Sequence, residues 1–551
     1  MPLPLVTPEN EFYWTAGADG VLRMRHCTAC DAVIHPPRPA CHRCRSTDLD
    51  VVELSGRGQI VGVTVNHQQW GPEPTEPYTL AAVALDEDHR VRVTGRVRGA
   101  ENVVGDGAVI GAPVAVEFVR AKDVWIPEFR VDGAPRPLPP LEDDPAVVRR
   151  TARPPVSADR YEERSAVTGI GTSRIGRRLM ADPLALTVEA CRAAVDDAGL
   201  TFDDIDGLAT YPGGAVPGGF SEGGLTLLEE TLRLRPVWYN GGAEVPGPGG
   251  SVVAAMLAVA AGLCRHVLVY RTVWQATHTE LLRSGRLRYS GGGRVGPPMD
   301  FHLPVGAPSA AHPLAITASH YLHRYGVERE TLGWIALNAR ANAARNPTAI
   351  YRTPLTMDDY LSARTITTPF GLYDCDVPCD ASVALVISRA DVAKDLRQPP
   401  VRFAAAGTQI TERVSWDQST LTHEPQVLGS AAHLWSRTDL TPADVDVAEL
   451  YDGFTFNCLS WLEGLGFCGI GEAAGFLEGG KRIALDGELP LNTHGGQLSH
   501  GRTHGFGLLH EAVTQLRGHG GDRQVPGAEV AVVSSGGLTP SSCLLLVKER
   551  S

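Results

Sequence analysis

The sequence predicts an α/β protein made of two related halves, set behind a smaller all-β front section. Three observations carry this. The phrase LTFDDIDGL at Leu200–Leu208 returns as LTPADVDVAEL at Leu440–Leu450, each time after a helical stretch and ahead of a strand, which is how an internally duplicated α/β unit reads. From Ser165 onward strand-like and helix-like stretches alternate, beginning AVTGIGTSRIG, ALTVEACRAAVDDAGL, IDGLATYP. Ahead of them stand two CxxC pairs and a series of valine-rich alternating runs.

The chain has 551 residues, too many for one ordinary core. A hydrophobic content of 43% with 21% charged residues is that of a soluble globular protein. The net charge of -13 argues against nucleic acid as a partner, because phosphate binding needs a basic face. The start, MPLPLVTPENEFYW, lacks the basic residues and apolar run of a leader, and the best apolar stretch, SVVAAMLAVAAGLC, has the length of a buried helix rather than a membrane span. Eleven cysteines, four of them in CxxC spacing, suit a reducing cytoplasm. The expectation is a cytoplasmic protein with no membrane partner.

In chain order, residues 1–25 read as a helical or extended arm. In 26–55, Cys27, Cys30, Cys41 and Cys44 form two knuckles ten residues apart. Each CxxC turns two thiolates toward one point, and two such turns complete a closed, tetrahedral structural zinc site. Residues 56–131 hold GQIVGVTVNH, YTLAAVALDE, RVRVTGRVRG and APVAVEFVRA, the alternation of a small antiparallel barrel. Segment 132–164 carries seven prolines and reads as a stiff linker with no packing of its own. The two halves follow as 165–395 and 396–551.

The chemistry concentrates in NTHGGQLSHGRTHGFG, Asn492–Gly507, where His494, His500, His504 and Arg502 precede the helical run LLHEAVTQLRG, with Leu508, Leu509, Ala512 and Leu516 on one side. A glycine-bearing loop entering a helix presents unpaired N–H groups, which favour a developing oxyanion, and histidines beside it move protons near neutral pH. Tyr451 leaves a strand in AELYDGF; Asp452 beside it reads as a maker of loop hydrogen bonds. Arg283, Arg286, Arg288 and Arg294 in LLRSGRLRYSGGGRVG form a basic patch suited to the phosphates of CoA, or else a solvated face. Cys375 and Cys379, like Cys191, Cys264, Cys458, Cys468 and Cys543, read as buried thiols.

The order CxxC, HPPRPACHRC, GRGQIVGVTV resembles the DUF35 family, a rubredoxin-like zinc ribbon followed by an OB-fold, which accompanies thiolase-like enzymes and helps form their acyl-CoA channel. WIALNARANAARNPTA, LYDCDVPCDASVALVISRADVA, AELYDGFTFN, NTHGGQLSHGRTHGFG and VVSSGGLTPSS resemble the thiolase superfamily, in its lipid-transfer-protein or sterol-carrier-protein-x branch. The resemblance implies the thiolase fold, two related α/β halves layered αβαβα, and a homodimer through it. Condensing members use a nucleophilic cysteine at a helix start, an Asn or His in the NEAF/HDCF position, a GHP histidine and a second cysteine before a glycine run. Here those places hold Gly247, Tyr451, Arg502 (with His500 and His504 two residues to either side), and Ser534 or Ser535 ahead of Gly536 and Gly537. Without a thiolate the usual acyl-enzyme cannot form.

A cysteine-less thiolase with DUF35 resembles the steroid side-chain aldolases, which split a β-hydroxyacyl-CoA into a ring ketone and a short acyl-CoA such as propionyl-CoA. That implies Tyr451 and a group in the SHGRTHG loop as proton handlers, with His500 preferred over His504 and Arg502. It implies backbone donors near Gly247, Ser534, Ser535, Gly536 and Gly537, and a hydratase to supply the substrate. The competing expectations are a condensing acyltransferase with a displaced nucleophile and a non-catalytic acyl-CoA or lipid binder.

Overall fold

The computed structural model describes residues 2–71, 74–98, 110–214, 216, 218–288, 293–536 and 541–549. Strands β1 (Leu22–Cys27), β2 (Val33–Ile34) and β3 (Leu49–Leu54) form the antiparallel ribbon sheet. It begins inside the stretch read as an arm. The arm itself is packed down: Tyr13 and Trp14 are buried against Phe301, ring centroids 5.3 and 5.1 Å apart.

The barrel has five strands, β4 (Arg57–Asn66), β5 (Tyr78–Leu85), β6 (Arg92–Arg98), β7 (Pro113–Ala121) and β8 (Val124–Val131). It closes through β4 on β7, with Gly58 opposite Val114, while β6 and β8 pair in parallel. The sequence reading lacked β8. Its run VWIPEF contains a proline, which lowers strand propensity, and it follows β7 through a tight turn with Lys122 at φ 62°.

The large region carries β9 (Ser165–Thr172), β10 (Gly207–Thr210), β11 (Trp238–Asn240), β12 (His266–Trp274), β13 (Asp380–Arg389), β14 (Val401–Gly407), β15 (Val447–Glu449), β16 (Val530–Ser535) and β17 (Ser542–Lys548), in the order β11-β10-β12-β13-β9-β14-β17-β16-β15. The order is a duplication seen from its seam. The set β10-β12-β13-β9 pairs parallel, antiparallel, antiparallel, and so does β15-β16-β17-β14. The halves join where Ala166 and Val167 face Arg402 and Val401. The repeated phrase makes the same turn twice: Thr201 bonds Asp204 Oδ2 through Oγ1 at 2.7 Å and N at 2.8 Å, and Thr441 bonds Asp444 at the same two distances.

The helices that matter below are α1 (Pro183–Ala198), α2 (Gly247–Ala260), α3 (Ala311–Tyr325), α4 (Glu330–Ala344), α5 (Val427–Trp435), α6 (Thr455–Leu465) and α7 (Phe506–Leu516). Both α2 and α7 pack on strands from both halves. This is why α7 is not the one-sided amphipathic helix its leucines suggest: Glu511, Thr514 and Gln515 on its other side are buried as well.

The linker also departs from expectation. Gln59 Nε2 donates to Arg136 O and Pro137 O at 2.9 and 3.0 Å, and Arg149 Nη1 to Glu463 O and Cys468 O at 2.7 and 2.8 Å. Prolines set its extended course, but its remaining polar groups find partners along both neighbours. The barrel docks on α3 through β4: Val63 N–H donates to Ser319 Oγ at 2.9 Å, and His320 Nδ1 lies 2.7 Å from Val61 O. A Cβ on Gly62 would come within 2.6 Å of Ile316 O, so that contact admits only glycine.

Candidate active site

Strand ends and helix starts from both halves meet at Tyr451. Its N–H donates to Ser534 Oγ at 2.8 Å, at the end of β16. Next along that strand, Ser535 Oγ accepts from Gly249 N–H, in the first turn of α2, at 3.0 Å and lies 2.9 Å from Ser542 Oγ. Gly247 opens α2 at φ 61°, and a Cβ on Gly249 would sit 2.6 Å from Ser542 Oγ. The start of α2 is therefore built around glycine and serine hydroxyls. Among the seven cysteines read as buried thiols, Cys379 donates to Arg502 O at 3.2 Å, and burial pushes it and Cys375 up, away from thiolate.

Tyr451 is 4% exposed, and among the described residues its hydroxyl makes no hydrogen bond. Burial pushes its phenol well above the ordinary range; Arg502 pulls it down, and Asp376 and Glu424 push it up. It is a neutral phenol at physiological pH, fit to give a proton. Arg502 pairs with Asp376 and Gln275. Its Nε stands 2.9 Å from Asp376 Oδ2 and its Nη1 donates to Gln275 Oε1 at 2.8 Å, with the guanidinium 5.4 Å over the Phe220 ring.

His504 stacks on that same ring, 5.3 Å between centroids, and its Nδ1 lies 2.6 Å from Arg271 Nη2. Arginine only donates, so Nδ1 accepts and the proton sits on Nε2. Burial, with Arg271 and Arg502 nearby, holds the imidazole well below its usual range. His504 is thus a neutral donor with no lone pair to offer.

His500 faces elsewhere. It lies at the end of a π-helical turn, Gly496–His500, and lines a separate cleft of about 690 Å³ with His494, His510, Glu511 and Arg523. Its ring meets His494 at 4.9 Å, and its Nε2 lies 3.2 Å from Thr348 Oγ1. Charges in that cleft, not Tyr451, act on it, and burial drives it well below the usual range. His494 is instead raised by Glu449, 3.3 Å away. Asp452 ties the two clusters together, accepting from Gln497 N–H at 2.9 Å and pushed by burial to about 7. The resemblance put His500 on one site with Tyr451; across Ser499–His504 the chain instead leaves His500 and Thr503 lining the cleft, while Arg502 and His504 stand at the Phe220 ring.

Of the four arginines read as a CoA patch, Arg283 lies 3.5 Å from Glu280, and Arg294 donates to Asp123 on the barrel and to Pro4 O. Among the described residues, Arg286 and Arg288 have no such ties. Gly536 borders the site, since a Cβ there would meet Glu424 Oε1 at 2.7 Å and the Tyr451 ring at 3.2 Å; Gly537 lies outside the described residues. Three residues escaped sequence reasoning. Asp376 was passed over between two cysteines, and Glu424 sits in an unremarkable LTHEPQ. Arg271 did leave a signal, a lone charge within the apolar strand HVLVYRTVW.

In the ribbon, Cys27 and Cys44 sulfurs stand 3.5 Å apart, Cys30 and Cys41 3.6 Å, and all four lie within 4.8 Å of one another. Tetrahedral zinc with bonds of about 2.3 Å asks for sulfurs roughly 3.8 Å apart. The donor set fits that metal.

Comparison with known proteins agrees with this architecture. Residues 14–50 match the ChsH2 rubredoxin-like zinc ribbon domain, 51–119 the ChsH2 C-terminal OB-fold domain, and 407–550 the thiolase C-terminal domain-like family. The chain is 34% identical over 392 residues, 69% of its length and 98% of the relative's, to the 17-hydroxy-3-oxo-4-pregnene-20-carboxyl-CoA lyase of Mycobacterium tuberculosis. It is 34% identical over 400 residues, 70% of its length and 98% of the relative's, to the steroid side-chain-cleaving aldolase of Thermomonospora curvata. The solved Ltp2-ChsH2(DUF35) aldolase superposes with a TM-score of 0.62 at 31% identity, covering 71% of this chain and 99% of that one. The chain belongs to the family of thiolase-fold side-chain-cleaving aldolases, carbon–carbon lyases, and carries the ChsH2-type zinc ribbon and OB-fold in the same polypeptide.

Proposed function

We propose that this chain cleaves the Cα–Cβ bond of a β-hydroxyacyl-CoA bearing a steroid ring system, releasing a ring ketone and a short acyl-CoA such as propionyl-CoA. The observation that carries this is the contact between the start of α2, which opens at Gly247, and Ser535: by the resemblance, glycine and serine stand where condensing enzymes carry their two cysteines, while a protonated phenol and two fixed donors remain nearby. Retro-aldol cleavage needs no covalent intermediate. It needs an acceptor for the hydroxyl proton, donors for the enolate oxygen, and an acid for Cα. Arg502 and the Nε2–H of His504 are the donors in this reading, joined by backbone N–H groups near Gly247 and Ser534–Gly537, and Tyr451 is the acid.

Arg286 and Arg288 are the proposed contacts for CoA phosphates, with Arg283 and Arg294 in supporting ion pairs. A homodimer through the large domains, a cytoplasmic site of action and a hydratase supplying the alcohol complete the reading. Incubation with a steroid β-hydroxyacyl-CoA is expected to yield the ketone and the shortened thioester in equal amounts. Intact substrate, or a substrate-derived mass adduct on the protein during turnover, would sink it.

The ribbon's metal is proposed to be zinc held by Cys27, Cys30, Cys41 and Cys44 in a purely structural role. Chelation is expected to release about one zinc per chain and to lower the melting temperature, since metal binding in such knuckles is folding energy. A melt unchanged by chelation would show the ribbon to stand without it.

A further inference from the structure

We infer that Asp376, from its place beside Arg502 and across Gly453 from Tyr451, is the base that takes the proton from the substrate's β-hydroxyl; this rests on the aldolase reading above. Apart from Glu424, a second buried carboxylate beside Tyr451, the other groups at the site cannot serve. Tyr451 is protonated, Arg502 has no lone pair to give, His504 has its one acceptor nitrogen filled by Arg271, and His500 faces the second cleft. The serine hydroxyls at 534 and 535 are taken up by Tyr451 N–H and Gly249 N–H.

Asp376 has the geometry for the task. Its N–H donates to Gly453 O at 3.0 Å, a Cβ on Gly453 would lie 3.1 Å from the Tyr451 hydroxyl, and the charge of the Asp376 carboxylate acts on that phenol. Arg502 Nε approaches Asp376 Oδ2 at 2.9 Å but off the hydrogen-bonding line, which leaves that oxygen buried with no hydrogen-bond partner. A buried, unfilled carboxylate oxygen beside a cation is costly unless something donates to it in the working state. An alcohol is such a donor.

The proton accounting closes within the site. The substrate O–H bond breaks and its proton goes to Asp376 Oδ2. The carbonyl forms as Cα–Cβ breaks, and that electron pair becomes the enolate of the thioester, held by Arg502 and His504. Tyr451 gives its proton to Cα, and Asp376 returns the proton it took to the tyrosinate. Substrate equals ketone plus acyl-CoA, with no outside reactant.

Burial holds the Asp376 carboxyl up at about 6, with Arg502 opposing. The other titratable groups facing it are Tyr451, Cys375 and Cys379, all protonated through burial. A base works ionised, so kcat should rise with pH along a limb near 6. Asp376→Asn is expected to lower kcat roughly a hundredfold and abolish that limb while acyl-CoA binding persists. Asp376→Glu keeps a carboxylate and should retain a limb at a displaced pH, which decides the matter even if the Asn variant does not fold. A limb at the wild-type position in Asp376→Glu, a kcat within about threefold of wild type in Asp376→Asn, or loss of the limb in Glu424→Gln would overturn the assignment. Failure of the wild-type enzyme to cleave the substrate would instead bring down the aldolase reading beneath it.

Discussion

Tyr451→Phe is expected to lower kcat about 10²–10⁴-fold, the range for loss of a positioned acid, with acyl-CoA affinity nearly unchanged. The substitution removes one oxygen from a side chain that is otherwise packed: the ring stays against Gly453 and Gly536, and the backbone N–H keeps its bond to Ser534. Because the hydroxyl makes no hydrogen bond among the described residues, its loss strands no partner. The fold should tolerate Phe, and a fall in turnover can be read as chemistry. Burial sets the direction of the proton: a phenol held above its ordinary range gives a proton only to a strong base, and an enolate carbon is one. The measurement is kcat alongside the dissociation constant of the product thioester. A variant that turns over at the wild-type rate removes Tyr451 from the reaction. One that loses binding in the same proportion makes it a substrate contact instead.

How far the sequence reached can be judged from particular residues. The duplicated LTxxDxD turn, the two knuckles and the glycine-rich start of α2 were legible because each is local: a capped turn, a ligand spacing, a helix entry. Tyr451 was picked out by its place in the motif AELYDGF. What was not legible depends on how the chain leaves a turn. Across Ser499–His504 a π-helical turn followed by Gly501 at φ 143° redirects the chain, so His500 lines the cleft with His494 while His504, alike on paper, stacks on Phe220. Asp376 was hidden for another reason. A carboxylate becomes chemically unusual only when burial and a distant cation act on it, and Arg502 is far away in sequence. The linker's packing was unreadable likewise, since proline content predicts an extended path but not what lies along it.

Arg502→Met should cost about 10²–10³ in kcat, the worth of one lost oxyanion donor, and it should also move the pH profile. Arginine does two things here. In the proposed mechanism it presents a guanidinium to the developing enolate charge, and in the structure it lowers the proton affinity of Asp376. Methionine fills similar volume over the Phe220 ring but removes the cation, leaving the Asp376 carboxylate buried and uncompensated. Breaking such a pair costs on the order of 3–5 kcal/mol while the partner stays charged. Asp376 escapes part of that cost by holding its proton more tightly, so the acid limb of kcat should shift upward from about 6. Arg502→Lys separates the two roles. A lysine keeps the positive charge, so the limb should stay near its original pH, but a point charge cannot reproduce the planar fork that reaches Asp376 and Gln275 and, in the proposed mechanism, the substrate oxygen, so turnover should still fall. If the methionine variant keeps its limb in place, the limb belongs to a group that does not feel Arg502, and the pairing of this cation with the reacting carboxylate is wrong even if turnover drops.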